Sequence, residues 1–187
     1  MASASPRRLE LLQSLGLDVH VAPSGYHEPD RAELDPRELA TEHARAKCEA
    51  VAMRFPNDVV VAADTVVDVD GTAFNKPADA ADARRMLAAL SGRTHVVHTA
   101  LAICAAGTTT VECESTRVTF FPLEAGEIDR YVASGEPFDK AGGYGIQAHG
   151  ASLVERINGD FYTVMGFPLA RFVRTLRRLG FVLPITN

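Results

Sequence analysis

Tryptophan is absent, and cysteine occurs only three times, at Cys48, Cys104 and Cys113, with no C-x-x-C pair. That number and spacing argue against a disulfide framework or a cysteine-ligated zinc site and fit a reducing compartment. Long apolar runs are missing too: stretches such as Val59 to Ala63 fall far short of the roughly 20 residues a membrane-spanning helix needs. Nothing near Met1 has the layout of a secretory signal, so a soluble cytoplasmic protein without membrane partners is expected. Positive charge is in deficit, with 19 Lys and Arg against 24 Asp and Glu and a formal net charge of -5. The molecule therefore has no bulk attraction for nucleic acid, and any anion it binds must be held by a local cluster of cations. There is no Walker A pattern, and no G-x-G-x-x-G follows a strand, which excludes the ordinary P-loop and Rossmann readings.

What is present is the composition of a folded protein, 47% hydrophobic and 23% charged over 187 residues, enough for one domain at residues 1–187. Helical and strand periods alternate without repeats, predicting a single α/β unit. Ser5 and Pro6 open a helix with Leu9, Leu12 and Leu15 on one stripe and Gly16 beyond its end. Asp35, Pro36 and Glu38 open a second, whose stripe of Ala40, Ala44 and Val51 contains Lys47. The β-branched run from Asp58 to Val67 reads as a central strand covered on both faces, interrupted by Asp64, with a turn at Asp70-Gly71. A helix over about Asp79 to Leu90 follows. Strands over His95–Cys104 and Thr109–Phe121, a short helix over Glu124–Ala133, a strand over Ala151–Ile157 and a last helix from Leu169 to Leu179 complete the order.

Four features could carry chemistry. Ser3, Ser5, Arg7 and Arg8 stand at the opening of a helix, where free N–H groups and guanidinium groups can bind a phosphate; a capped helix with two solvated arginines is the plainer reading. Asp64, in an oily strand, needs a partner, and is either a general base or metal ligand, or a carboxylate capping a neighbouring loop; Thr65 beside it should lie on the opposite face or at the strand end. Lys47 and Lys76 supply point charges for phosphate oxygens, or merely snorkel from the core edge. Asp139-Lys140-Ala141-Gly142-Gly143-Tyr144-Gly145-Ile146-Gln147 has glycines that let backbone approach a ligand and an amide at Gln147 that both donates and accepts, although a glycine turn without a ligand fits as well. His95 and His98 lie on opposite strand faces without ligand-spaced companions and read as structural.

Taken together, Ala2-Ser3-Ala4-Ser5-Pro6-Arg7-Arg8, Ala62-Ala63-Asp64-Thr65, Lys76-Pro77, Leu90-Ser91-Gly92-Arg93-Thr94-His95, the run Asp139 to Gln147, and Gly159-Asp160 through Gly166-Phe167-Pro168-Leu169 resemble the Maf nucleotide pyrophosphatases, in order and over essentially the whole chain. The resemblance implies a mixed α/β fold with a curved central sheet flanked by helices and a cleft between two lobes, similar to inosine triphosphate pyrophosphatases. It implies hydrolysis of a nucleoside triphosphate to the monophosphate and pyrophosphate with a divalent cation, Mg2+ or Mn2+. Carried over by motif, Asp64 is the catalytic acid/base and, with Glu28, a metal ligand. Ser3, Arg7, Arg8, Lys47, Thr65, Lys76 and Gln147 are then the substrate-binding and specificity residues. Family members that prefer 7-methylguanosine triphosphate carry Trp, Gln and Glu where this chain has Arg7, Thr65 and Gln147, so the resemblance is to the dTTP and UTP branch. Homodimers are common in the family, and a nucleotide-sensing regulatory role in septum formation is the alternative reading. The chain departs from the family pattern ahead of Ala2, where a shortened first strand or an upstream start is expected. Gly143, Ala148 and Phe167 replace the usual Ala, Gly and Leu, changes expected to affect packing more than chemistry.

Overall fold

The sheet is organised by its first strand, in which valine and alanine crowd both faces. In the computed structural model, which describes residues 1–29, 31 and 33–183, this strand is β1, Val60–Val69, buried at eight of its ten positions. A hairpin at Asp70-Gly71 returns as β2, Thr72–Phe74. Pairing starts only at Val67, opposite Phe74, and Asn75 instead turns its carbonyl to the Gly142 N–H at 3.0 Å. The long hairpin β3 (Thr94–Ala105) and β4 (Thr108–Phe120) follows, and β5, Val154–Asn158, closes the order β2-β1-β3-β4-β5. The α/β class is the expected one, and within these five strands every pairing is antiparallel.

Helices cover both faces, and the parity of β1 decides which. Even positions Val60, Ala62 and Val66 pack with Ala40, Ala44, Cys48 and Val51 of α2 (Pro36–Ala52). On the other face, Val61 and Ala63 join Leu12 of α1 (Pro6–Gln13) and Phe172 and Leu176 of the last long helix, while Val67 and Val69 join Leu87 and Leu90 of α3 (Ala80–Leu90) and Ile128 of α4 (Ala125–Ala133). Thr65 falls on the seam between these two clusters. The chain then passes through 3-10 turns at Glu136–Asp139, Ala141–Gly143 and Ala148–Leu153 before α5 (Phe161–Met165) and α6 (Leu169–Arg178).

Local signals explain most boundaries. Asp35 accepts from the Glu38 N–H at 2.7 Å while Glu38 accepts from the Asp35 N–H at 3.3 Å, the reciprocal cap read from the sequence. At α1 Ser5 is the N-cap and Pro6 the first helical residue, as expected, but the Ser5 hydroxyl makes no capping bond and the Ser5 N–H is taken by Ser3 Oγ at 3.2 Å. Part of the strand expected from Ala151 is a 3-10 turn, with β5 beginning at Val154. Near Met1, Ala2 donates to the Val61 carbonyl at 2.7 Å and the Met1 carbonyl accepts from Ala22 at 3.0 Å, so residues 1–2 lie beside β1 without forming a strand of the sheet. Beyond them, residues 62–66 of β1 have β3 on one side and no paired strand on the other among the described residues.

Candidate active site

A cavity of about 490 Å³ opens at that bare margin of β1. Asp64 and Thr65 both border it, although consecutive strand residues point to opposite faces. The margin explains this, because a cavity at the end of a sheet reaches around both faces. The placement of Thr65 on the face away from Asp64 thus holds, but both side chains serve one site.

Asp64 is 7% exposed and finds its partner on the helix above it. Lys47 Nζ stands 2.5 Å from Asp64 Oδ1 and 2.5 Å from Glu28 Oε1, bridging a strand acid and a loop acid. The lysine that spoils the apolar stripe of α2 is thus the counter-ion of a buried carboxylate rather than a side chain that merely snorkels from the core edge. Burial alone would raise the Glu28 carboxyl, yet the Lys47 bond and the charges of Lys47, His43 and Lys76 hold it below the ordinary glutamate value.

Arg8 corrects the picture of a solvated arginine. Its guanidinium donates to the Gly166 carbonyl at 2.8 Å, the Ala63 carbonyl at 2.7 Å, Thr65 Oγ1 at 3.1 Å and Ser3 Oγ at 3.3 Å. It satisfies the Ala63 carbonyl on the unpaired side of β1, and because none of these acceptors is a carboxylate, its charge remains available to a bound anion. Ser3 does not border the cavity; its hydroxyl accepts from Arg8, which does. Arg7 does border it, and is joined to Asp139 Oδ2 at 2.6 Å, with Lys140 on Oδ1 of the same carboxylate at 2.6 Å. Lys76 and Gln147 are both exposed and both face the cavity.

The cavity thus brings together Arg7, Arg8, Glu28, Lys47, Asp64, Thr65, Lys76 and Gln147. It adds Lys140 of the glycine run and residues that sequence reasoning passed over: Arg31, Asn75 and His43, the last 4% exposed and one helical turn before Lys47. The i, i+4 spacing of His43 and Lys47 was a signal that could have found it. Six cationic side chains border the space against three carboxylates, a local positive excess in a chain of net charge -5. His95 and His98 lie elsewhere: His95 Nε2 is 2.7 Å from Tyr144 Oη, and His98 lies between Ser115 and Asp68.

The model of Maf-like proteins matches residues 1–179. The chain belongs to the Maf family. Among its Maf relatives, a dTTP/UTP pyrophosphatase of Koribacter versatilis is 46% identical over 180 residues, covering 96% of this chain and 93% of that protein. A dTTP/UTP pyrophosphatase of Symbiobacterium thermophilum is 45% identical over 181 residues, 97% of this chain and 93% of its own. One from Deinococcus radiodurans is 46% identical over 180 residues, 96% and 92% of the two chains. In this Maf protein Arg7, Arg8, Asp64, Thr65, Lys76 and Gln147 of its motifs border one cavity, whereas Leu90–His95 and Gly159-Asp160 lie away from it. Among the described residues no helix is long and apolar enough to cross a membrane.

Proposed function

We propose that the protein hydrolyses nucleoside triphosphates of the dTTP and UTP type to the monophosphate and pyrophosphate, with Asp64 as the general base. The observation that carries this reading is the buried Asp64–Lys47 pair on the wall of a cavity whose other charged groups are mainly cations. A tetraanionic triphosphate suits such a space: Arg7, Arg8 and Lys76 offset its charge, and the seam between the two helix clusters on one face of the sheet serves as the cleft between two lobes. Lys47 occupies Asp64 Oδ1, leaving Oδ2 to take the proton of a water that attacks the α-phosphorus. The bond from the α-phosphorus to the bridging oxygen breaks, pyrophosphate departs with that electron pair, and its growing charge is met by the arginine and lysine side chains.

Among the described residues no group of three or more His, Cys, Asp and Glu side chains is placed to hold a metal by itself. Asp64 and Glu28, two carboxylates converging on one ammonium, fit the other arrangement, in which Mg2+ or Mn2+ takes one or two protein carboxylates and completes its shell with substrate phosphates and water. The chemistry such a cation supplies when bound is neutralisation of charge on the phosphate oxygens. Gln147 and Asn75, two amides at the cavity, are positioned to read a pyrimidine edge that presents both a donor and an acceptor.

The test is pyrophosphate release from dTTP, UTP, CTP and 7-methylguanosine triphosphate, with and without Mg2+. Magnesium-dependent release favouring dTTP and UTP is expected. Tight nucleotide binding without any product would overturn the reading and return the protein to a sensing role.

A further inference from the structure

One carboxylate close to the cavity does not border it. Glu136 follows α4, with its side chain only 12% exposed, and a carboxylate so placed needs several donors. It has them, one from α4 and the others from the end of the segment that supplies one wall of the site. Oε1 accepts from the Gly150 N–H at 3.1 Å and the Tyr131 hydroxyl at 3.0 Å; Oε2 accepts from the His149 N–H at 3.2 Å and lies 3.2 Å from His149 Nδ1. The Tyr131 hydroxyl in turn accepts from the Gly145 N–H at 3.1 Å, and the Glu136 carbonyl accepts from Lys140 Nζ at 2.7 Å. Burial would raise the Glu136 carboxyl, but the donors Gly150, Tyr131 and His149 hold it below the ordinary value.

The glycines of the segment fit this anchor. A Cβ on Gly150 would come within 2.1 Å of the Gly145 carbonyl and 2.7 Å of Tyr131 Oη, and one on Gly145 would meet the Lys140 stem at 2.7 Å. The loop is therefore folded onto Glu136 and Tyr131, and this fixes where Lys140, Gly145, Ile146 and Gln147 reach the cavity.

We propose that Glu136 is a positioning residue that, through the Tyr131 hydroxyl and the Gly150 N–H, sets substrate affinity and nucleotide choice at the wall formed by Lys140 to Gln147. The proposal rests on the hydrolase reading above. It assigns Glu136 no contact with substrate and no part in bond cleavage.

Steady-state kinetics of Glu136→Ala, Glu136→Gln and Tyr131→Phe on dTTP and CTP, with hydrogen–deuterium exchange over residues 141–150 of the free protein, test it. Glu136→Ala should raise KM for dTTP about tenfold with kcat within about threefold, and narrow the preference for dTTP over CTP. Glu136→Gln, which retains one acceptor oxygen, should restore part of the affinity. Tyr131→Phe keeps the buried ring and should still raise KM severalfold, so the result does not depend on whether Glu136→Ala folds. Exchange over 141–150 should accelerate in each. A purely structural role would lower thermal stability and active fraction while leaving KM and the dTTP to CTP ratio unchanged, and that outcome overturns the proposal. Faster exchange in variants of a wild type that hydrolyses no nucleotide would instead overturn the hydrolase reading, and with it the substrate part of this one.

Discussion

Lys47 Nζ, one helix away in sequence, sits 2.5 Å from Asp64 Oδ1 in the middle of β1, joining the covering helix to the strand by a nearly buried ion pair. Removing the lysine is the costly break, because Asp64 then remains away from water without a counter-ion, whereas loss of the Asp64 charge leaves Lys47 its bond to Glu28. The two partners therefore differ in what their loss should do.

Asp64→Asn keeps the shape but removes the proton acceptor, and should lower kcat about 10²- to 10⁴-fold with folding retained. Lys47→Met strands Asp64 without a counter-ion and should cost about 3 to 5 kcal/mol of stability as well as activity. Pyrophosphate release and urea titration of both variants separate the chemical from the structural contribution.

Arg8→Lys is a second discriminating change. A lysine cannot reach the Gly166 and Ala63 carbonyls and Thr65 together, so at least two charge-assisted bonds go, with a loss of about 3 kcal/mol. Denaturant midpoints should show it even without nucleotide; a midpoint equal to wild type would mean that those bonds do not hold the margin of the sheet.

Acid should destabilise the protein before its carboxylates titrate. Burial pushes His95 from 6.5 down to about 4, so between those values the unfolded chain takes up a proton that the folded one refuses. The stabilisation is whole above pH 6.5 and is lost on descent to pH 4, at most about 3 kcal/mol. Thermal melts across this window should fall less steeply for His95→Phe than for wild type, although that variant starts lower because Tyr144 loses its partner.

Ala148 adopts φ of 52°, in the left-handed region that suits glycine. Ala148→Gly removes the Cβ conflict and should stabilise the fold by about 1 kcal/mol. Calorimetry should find a melting temperature higher by about 2 to 4 °C; an unchanged or lower value would show that the backbone there is not strained.

Much of this was legible because single residues broke local patterns. Asp64 in an oily strand, Lys47 in an apolar stripe and the reciprocal cap at Asp35 and Glu38 each gave away a contact or a boundary. The pairing of Lys47 with both Asp64 and Glu28 was not legible, since sequence spacing says nothing about convergence across 17 or more residues. α5 and β2, of five and three residues, are too short for either period to register. Glu136 escaped notice because an acid in a loop is ordinary until its donors are seen.

The β1–β2 hairpin resembles a zipper stopped early. Two further steps in its register would set Asn75 against Val66 and Lys76 against Thr65, and would close the doorway with backbone. By giving its carbonyl to Gly142, Asn75 keeps the fastening from running on. Entrance width is therefore encoded in strand length, and a one-residue insertion or deletion near Gly71 would reshape access without altering any residue inside.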